Sequence, residues 1–122
     1  MIQFIAVFVG GGLGSLARYL FYLYLSKPTD IFPWPTFMAN LFSSLILGVI
    51  LASMAQADKS NLWYLLLATG FCGGFSTFST FSAENFQLFL SGSPGMALLN
   101  IFANVVVCLL AIWIGFRGAQ LF

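Results

Sequence analysis

No histidine occurs in this 122-residue chain, and charge of either sign is scarce: four Lys/Arg and three Asp/Glu, 6% of all residues. A water-soluble domain carries roughly 25% charged residues, so this chain could not cover a water-facing surface. Lack of histidine removes the usual general base and the commonest metal ligand. The two cysteines, Cys72 and Cys108, lie in different apolar segments and form neither a zinc-ligand pattern nor a C-x-x-C redox pair. They read as small membrane-buried thiols. Four basic residues without a cluster argue against a nucleic-acid partner. Nothing remains from which to build a soluble catalytic domain, and no enzyme is expected.

What is present is apolar. Hydrophobic residues make up 61% of the chain and its mean hydropathy is +1.01. Four apolar segments stand out, over about residues 2–25, 34–57, 62–90 and 96–118. A helix needs about 20 residues to cross a hydrocarbon core of roughly 30 Å, so the expectation is an all-α membrane protein with four transmembrane helices in one domain, 1–122. The joints, Lys27-Pro28-Thr29-Asp30, Asp58-Lys59-Ser60-Asn61 and Ser91-Gly92-Ser93-Pro94-Gly95, combine small polar residues or charge with breakers. The segments are too long for the alternating strands of a membrane barrel. No cleavable signal peptide is evident, because the first span lacks a basic leader.

The third segment is too long for one straight span and is interrupted by Gly70-Phe71-Cys72-Gly73-Gly74-Phe75-Ser76-Thr77-Phe78-Ser79-Thr80-Phe81-Ser82. Glycines are expected to break the helix there, in mid-membrane, before hydroxyls alternate with benzyl rings. Unwound backbone in hydrocarbon is tolerated only where protein or a watery cavity receives its polar groups. Such a break is therefore a candidate ion or substrate site.

Orientation follows the Lys/Arg bias between the two sides. Four spans put Lys59 and Arg117 on one side and Arg18 and Lys27 on the other, a tie. A small, unbiased protein of this kind can insert both ways and pair as an antiparallel dual-topology homodimer. Fixed orientation through the aromatic flanks is the alternative.

Several stripes carry a packing and a conducting reading side by side. Ala6, Gly10 and Gly14 recur every four residues and suit close helix approach. The nearby Gly12-x-Gly14-x-x-Ala17 superficially matches a nucleotide-binding fingerprint, but that motif needs a strand–turn–helix unit. Thr36, Asn40, Ser44, Gly48 and Ala52 share one face of the second span, and Ala97, Asn100, Asn104, Cys108, Ala111 and Gly115 one face of the fourth. Either stripe can be interhelical glue or the lining of a narrow polar track. Asn40 is the sharpest of them, since its amide offers two donors without net charge. Arg18, within an apolar span, faces a vestibule or snorkels to the interface. Phe78 and Phe81 share a helical face, and an aromatic edge is positive, so rings beside a break can solvate a small anion. Glu84, deep in the third segment, calls for a partner, either Arg18 or an amide.

Three stretches resemble the Fluc/CrcB family of fluoride channels: Gly73-Gly74-Phe75-Ser76-Thr77-Phe78-Ser79-Thr80-Phe81-Ser82-x-Glu84, Gly11-Gly12-x-Gly14-x-x-x-Arg18-Tyr19, and Thr36-x-x-x-Asn40. The resemblance covers the whole chain. It implies an antiparallel dual-topology homodimer in the cell (inner) membrane, with two pores that passively export cytoplasmic fluoride and so relieve its toxicity. It implies that Phe78 and Phe81 contact the ion and that Asn40 donates a hydrogen bond to it. Ser79, Thr80, Thr36 and Asn104 complete the candidate pore, Arg18 its vestibule, and Glu84 is a structural polar group. A structural Na⁺, not transported, is implied on the two-fold axis, held by backbone carbonyls of Gly73 and Ser76 from both subunits. The chain departs from the family pattern at Ser43, where glycine is frequent, and at Asn100, Asn104 and Cys108, where tyrosine and serines are frequent. A proton-coupled drug exporter also fits four spans, but its first-span carboxylate is absent here. A non-transporting packing subunit leaves the break and Asn40 without purpose.

Overall fold

The computed structural model describes residues 1–55, 58 and 60–121. Its elements run α1 (Ile2–Leu25), α2 (Trp34–Ser53), α3 (Leu62–Tyr64), a π-helical stretch (Leu65–Cys72), α4 (Gly73–Phe75), α5 (Phe78–Leu90) and α6 (Pro94–Ala119). Every regular element is helical among the described residues. Three of them, α1, α2 and α6, are long and apolar enough to cross a membrane. At a rise of about 1.5 Å per residue the shortest of these reaches about 30 Å, and it has 20 residues.

The first span has the bounds expected of it. The second helix ends at Ser53, before the expected limit at Ala57, which lies outside the described residues, as does Lys59 of the charge tie. The last helix starts at Pro94 rather than Met96, because proline at the first helical position surrenders an N–H that has no partner there. The joint before it is a Schellman motif: Ser93 N–H donates to the Leu88 carbonyl at 2.9 Å and Gly92 N–H to that of Phe89 at 3.2 Å. Gly92 adopts φ +76°, the left-handed region that favours glycine.

Packing occurs mainly in two pairs. α1 lies along residues 62–75, and α2 along α6, with α5 resting on α6. Glycines let both pairs close to backbone contact. A Cβ on Gly10 would strike the Leu66 carbonyl, one on Gly14 the Phe71 carbonyl, and one on Gly74 the Gly11 carbonyl. In the other pair, Gly48 abuts the Ile112 carbonyl and Gly115 that of Leu45. The expected Ala6, Gly10, Gly14 stripe is buried as a packing face.

The third segment departs from expectation in one respect. Gly70, Gly73 and Gly74 do not unwind it; all three remain helical, and the chain leaves the helix only at Ser76 and Thr77. Glycine weakens a helix in water chiefly through the freedom it regains when unfolded. Here Gly70 and Gly74 serve contact with α1 and stay within helical stretches.

Candidate functional site

The interruption is held from both sides. Upstream it is anchored by Phe75, 4% exposed, whose ring meets Phe21 of α1 edge-on at 5.3 Å and Phe71 at 5.6 Å. The Cys72 carbonyl gathers three donors: Ser76 N–H at 3.0 Å, Ser76 Oγ at 2.9 Å and the buried Ser43 Oγ of α2 at 2.9 Å. Downstream, the Thr77 hydroxyl accepts the Thr80 N–H at 3.2 Å and caps α5. Between them the Thr77 N–H donates to Asn40 Oδ1 at 2.9 Å. In an unbroken helix that N–H would bond the Gly73 carbonyl. Asn40 thus draws away the helical donor of Gly73, an exposed residue.

A cleft of about 240 Å³ opens at the break, between Ser76, Thr77, Phe78 and Phe81 on one wall and Asn40, Ser44, Asn104, Val105 and Cys108 on the other. The Phe78 and Phe81 rings stand 5.7 Å apart, inclined at 40°. Phe81 is buried, whereas Phe78 is 80% exposed on the single chain. No side chain lining the cleft carries a formal charge. Positive partial charge in its lining comes from amide hydrogens, ring edges and the N-terminal end of α5. Such a surface can receive a small anion without holding it as tightly as an ammonium group.

Behind the cleft runs a line of asparagines. Asn40 Nδ2 donates to Asn104 Oδ1 at 3.1 Å, Asn104 Nδ2 to Asn100 Oδ1 at 2.7 Å, Asn100 Nδ2 to Asn85 Oδ1 at 3.1 Å, and Asn85 Nδ2 to the Phe81 carbonyl at 2.8 Å. An asparagine amide has two N–H groups, so Asn40, which lines the cleft, has a second one beyond its bond to Asn104. The stripes of the second and fourth spans, open between glue and track, divide between an enclosed part and a part that faces the cleft. Asn100 is fully enclosed, while Asn40, Ser44, Asn104 and Cys108 line the cleft.

A second cavity, about 320 Å³, brings Arg18 and Ser15 of α1 together with Thr36, Thr80 and Glu84. Glu84 Oε1 accepts the Thr36 hydroxyl at 2.6 Å, so neither Arg18 nor an amide is the partner seen. Its Oε2 is buried without a hydrogen-bond partner among the described residues.

The structure therefore brings Phe78, Phe81, Asn40 and Asn104 to one cleft, and Arg18, Thr36, Thr80 and Glu84 to another. Ser79 is exposed and lines neither. The Thr80 hydroxyl accepts a hydrogen bond from that of Thr77. Two residues were missed. Asn85 stands four residues beyond Phe81 and so on its face, a position that could have flagged it. Ser43 was noted only as a departure from the family pattern, and no local signal gives its reach to Cys72.

Comparison with known proteins agrees over nearly the whole chain. The family model "CrcB-like protein, Camphor Resistance (CrcB)" matches residues 5–116. The fluoride-specific ion channel FluC of Escherichia coli (strain K12) is 41% identical over 120 residues, covering 93% of this chain and 94% of that protein. FluC of Pyrococcus abyssi (strain GE5 / Orsay) is 42% identical over 113 residues, covering 92% and 91%. Both relatives are named as ion channels. The extent of these matches makes this chain a member of the CrcB-like family.

Proposed function

We propose that the chain is one subunit of a fluoride-selective channel in the cell (inner) membrane. In this reading two copies pair antiparallel through dual topology, and fluoride leaves the cytoplasm passively, which lowers its internal concentration and toxicity. The observation that carries it is the capture of Thr77 N–H by Asn40 at an uncharged cleft that Asn40 lines together with Phe78 and Phe81. HF crosses membranes as a neutral acid and dissociates in a more neutral cytoplasm, trapping the ion. An inside-negative potential favours its exit by about 2.3 kcal/mol per charge for roughly 100 mV. Neither an ATP site nor a proton relay is required.

In the same reading the break lies in mid-membrane, at the two-fold axis. Exposure of Phe78 and Gly73 on one chain suits burial against a second. A structural Na⁺ fits the donors present: hard cations take oxygen ligands, and the Gly73 carbonyl has lost its helical N–H. The carbonyls of Gly73 and Ser76 would hold the ion, whose charge would offset the gathered carbonyl dipoles and tie the subunits together. Arg18 raises local anion concentration at the vestibule.

The test is fluoride efflux from liposomes that contain the purified protein. Fluoride is expected to pass and chloride to be held back, and Phe81→Ile is expected to slow fluoride by about tenfold or more, the effect of about 1.4 kcal/mol of lost stabilisation. Equal fluxes of the two halides, or unchanged fluoride flux in Phe81→Ile, would overturn the reading.

A further inference from the structure

The joint between α1 and α2 gathers charge in a chain that has little. Lys27 and Asp30 are the only charged residues between Arg18 and Asp58. They begin and end Lys27-Pro28-Thr29-Asp30, a turn closed by the Asp30 N–H donating to the Lys27 carbonyl at 3.1 Å. Proline at the second position of such a turn presets its backbone, and the first and fourth Cα atoms stay within about 7 Å of each other. One basic and one acidic residue are thus kept close on a short, stiff stretch.

Both also line one cavity of about 370 Å³, together with Tyr24 and Leu25 from the end of α1 and Trp34 and Met38 from the start of α2. Each of these helices is long and apolar enough to cross a membrane, so the ends that meet here mark a membrane surface. Tyr24 and Trp34 are exposed, as aromatic side chains at the headgroup level are. The Trp34 ring is braced by Phe32, 4.8 Å away, and by Phe37, edge-on at 6.0 Å. Leu25 and Met38 are half-buried. The lining therefore offers apolar surface, two aromatic rings and one charge of each sign.

We propose that this cavity seats the headgroup of a zwitterionic phospholipid with a primary amine, of the phosphatidylethanolamine kind. Its phosphate meets Lys27. Its ammonium donates to the Asp30 carboxylate through charge-assisted bonds, and the faces of Tyr24 and Trp34 attract the same cation. Only two carbons separate phosphate from amine in such a headgroup, a span that suits charges set on one turn. Leu25 and Met38 receive the glycerol end and the first methylenes of the chains. A purely anionic headgroup would meet a like charge at Asp30, and a trimethylammonium has no N–H to give it. The proposal goes beyond the fluoride reading and does not rest on it, since its test reads bound lipid and not flux.

The experiment is native mass spectrometry of the detergent-purified protein, titrated separately with dioleoyl phosphatidylethanolamine, phosphatidylcholine and phosphatidylglycerol. The ethanolamine lipid is expected to bind about threefold or more tightly than the other two, the scale of one exposed ion pair. Asp30→Asn is expected to bring it down to the level of the choline lipid. Lys27→Gln is expected to weaken all three, because all carry a phosphate, and Lys27→Arg to keep the binding. Both residues are exposed, so these variants are expected to fold, with thermal midpoints close to that of the unaltered protein. Equal affinity for the three lipids overturns the proposal, as does ethanolamine-lipid binding that neither Asp30→Asn nor Lys27→Gln changes. Tightest binding of the glycerol lipid overturns it too, in favour of a plain basic patch. If a second copy of the chain covers the cavity, no lipid preference appears and Lys27→Gln shifts the oligomeric state on size-exclusion, which also overturns it.

Discussion

The two packed helix pairs use opposite means to the same closeness. Along α1 and residues 62–75, Gly10, Gly14 and Gly74 bring backbone against backbone, with no side-chain hydrogen bond between these two elements among the described residues. Along α2 and α6, the glycine contacts at Gly48 and Gly115 give way to the Asn40–Asn104 bond and then to the cleft. One pair is a dry brace. The other begins as a brace and becomes a site. Polar side chains beside lipid are tolerable only when satisfied by each other or by water, so the asparagines sit where the second pair parts.

That contrast can be broken at either end. The largest effect is expected in the dry pair. Gly14→Val puts branched carbon into the Phe71 carbonyl and the Phe75 N–H. Overpacking costs about 1–3 kcal/mol where neighbours can shift and more where they are backbone, so loss of folded protein on size-exclusion is the outcome to look for. Asn40→Ala comes next. It orphans the Thr77 N–H and the Asn104 oxygen together, each worth about 1–3 kcal/mol when buried, and fluoride efflux is expected to fall by far more than the thermal midpoint. If both fell in proportion, the amide would be a brace like any glycine. Thr36→Val removes the bond to Glu84 with little change of volume. Leaving a buried acceptor unmatched costs about 1–3 kcal/mol, so a moderate drop in thermal midpoint is expected, smaller in Thr36→Ser, which keeps the hydroxyl. The smallest effect belongs to neither pair. Gly92→Ala strains one left-handed residue in the α5–α6 joint and costs about 1–2 kcal/mol, with efflux unchanged.

The same contrast explains what could be read from sequence. The apolar lengths gave three helices long enough to cross a membrane, α1, α2 and α6, because crossing hydrocarbon needs length and little else, and their ends strayed by only a few residues at Ser53 and Pro94. Phe78, Phe81 and Asn40 stood out in the sequence by their spacing within apolar segments, and they line one cleft. The role of the glycines did not stand out. A run such as Gly70–Gly74 looks alike whether it ends a helix or admits a neighbour, and only the position of α1 decides between them. Partners distant in sequence were hidden for a related reason: Thr36 and Glu84 are 48 residues apart, and Asn85 gains meaning only when α6 sets Asn100 opposite it.

The Cys72 carbonyl, which accepts three hydrogen bonds, has a consequence for where the third segment can come apart. Fraying, once begun at Ser76, would travel backward turn by turn unless something stopped it. Here the oxygen next in line is already gripped by a serine from its own strand of chain and by another from across the groove. Unravelling meets a knot that two helices tie together, and the gap in the rod stays two residues wide.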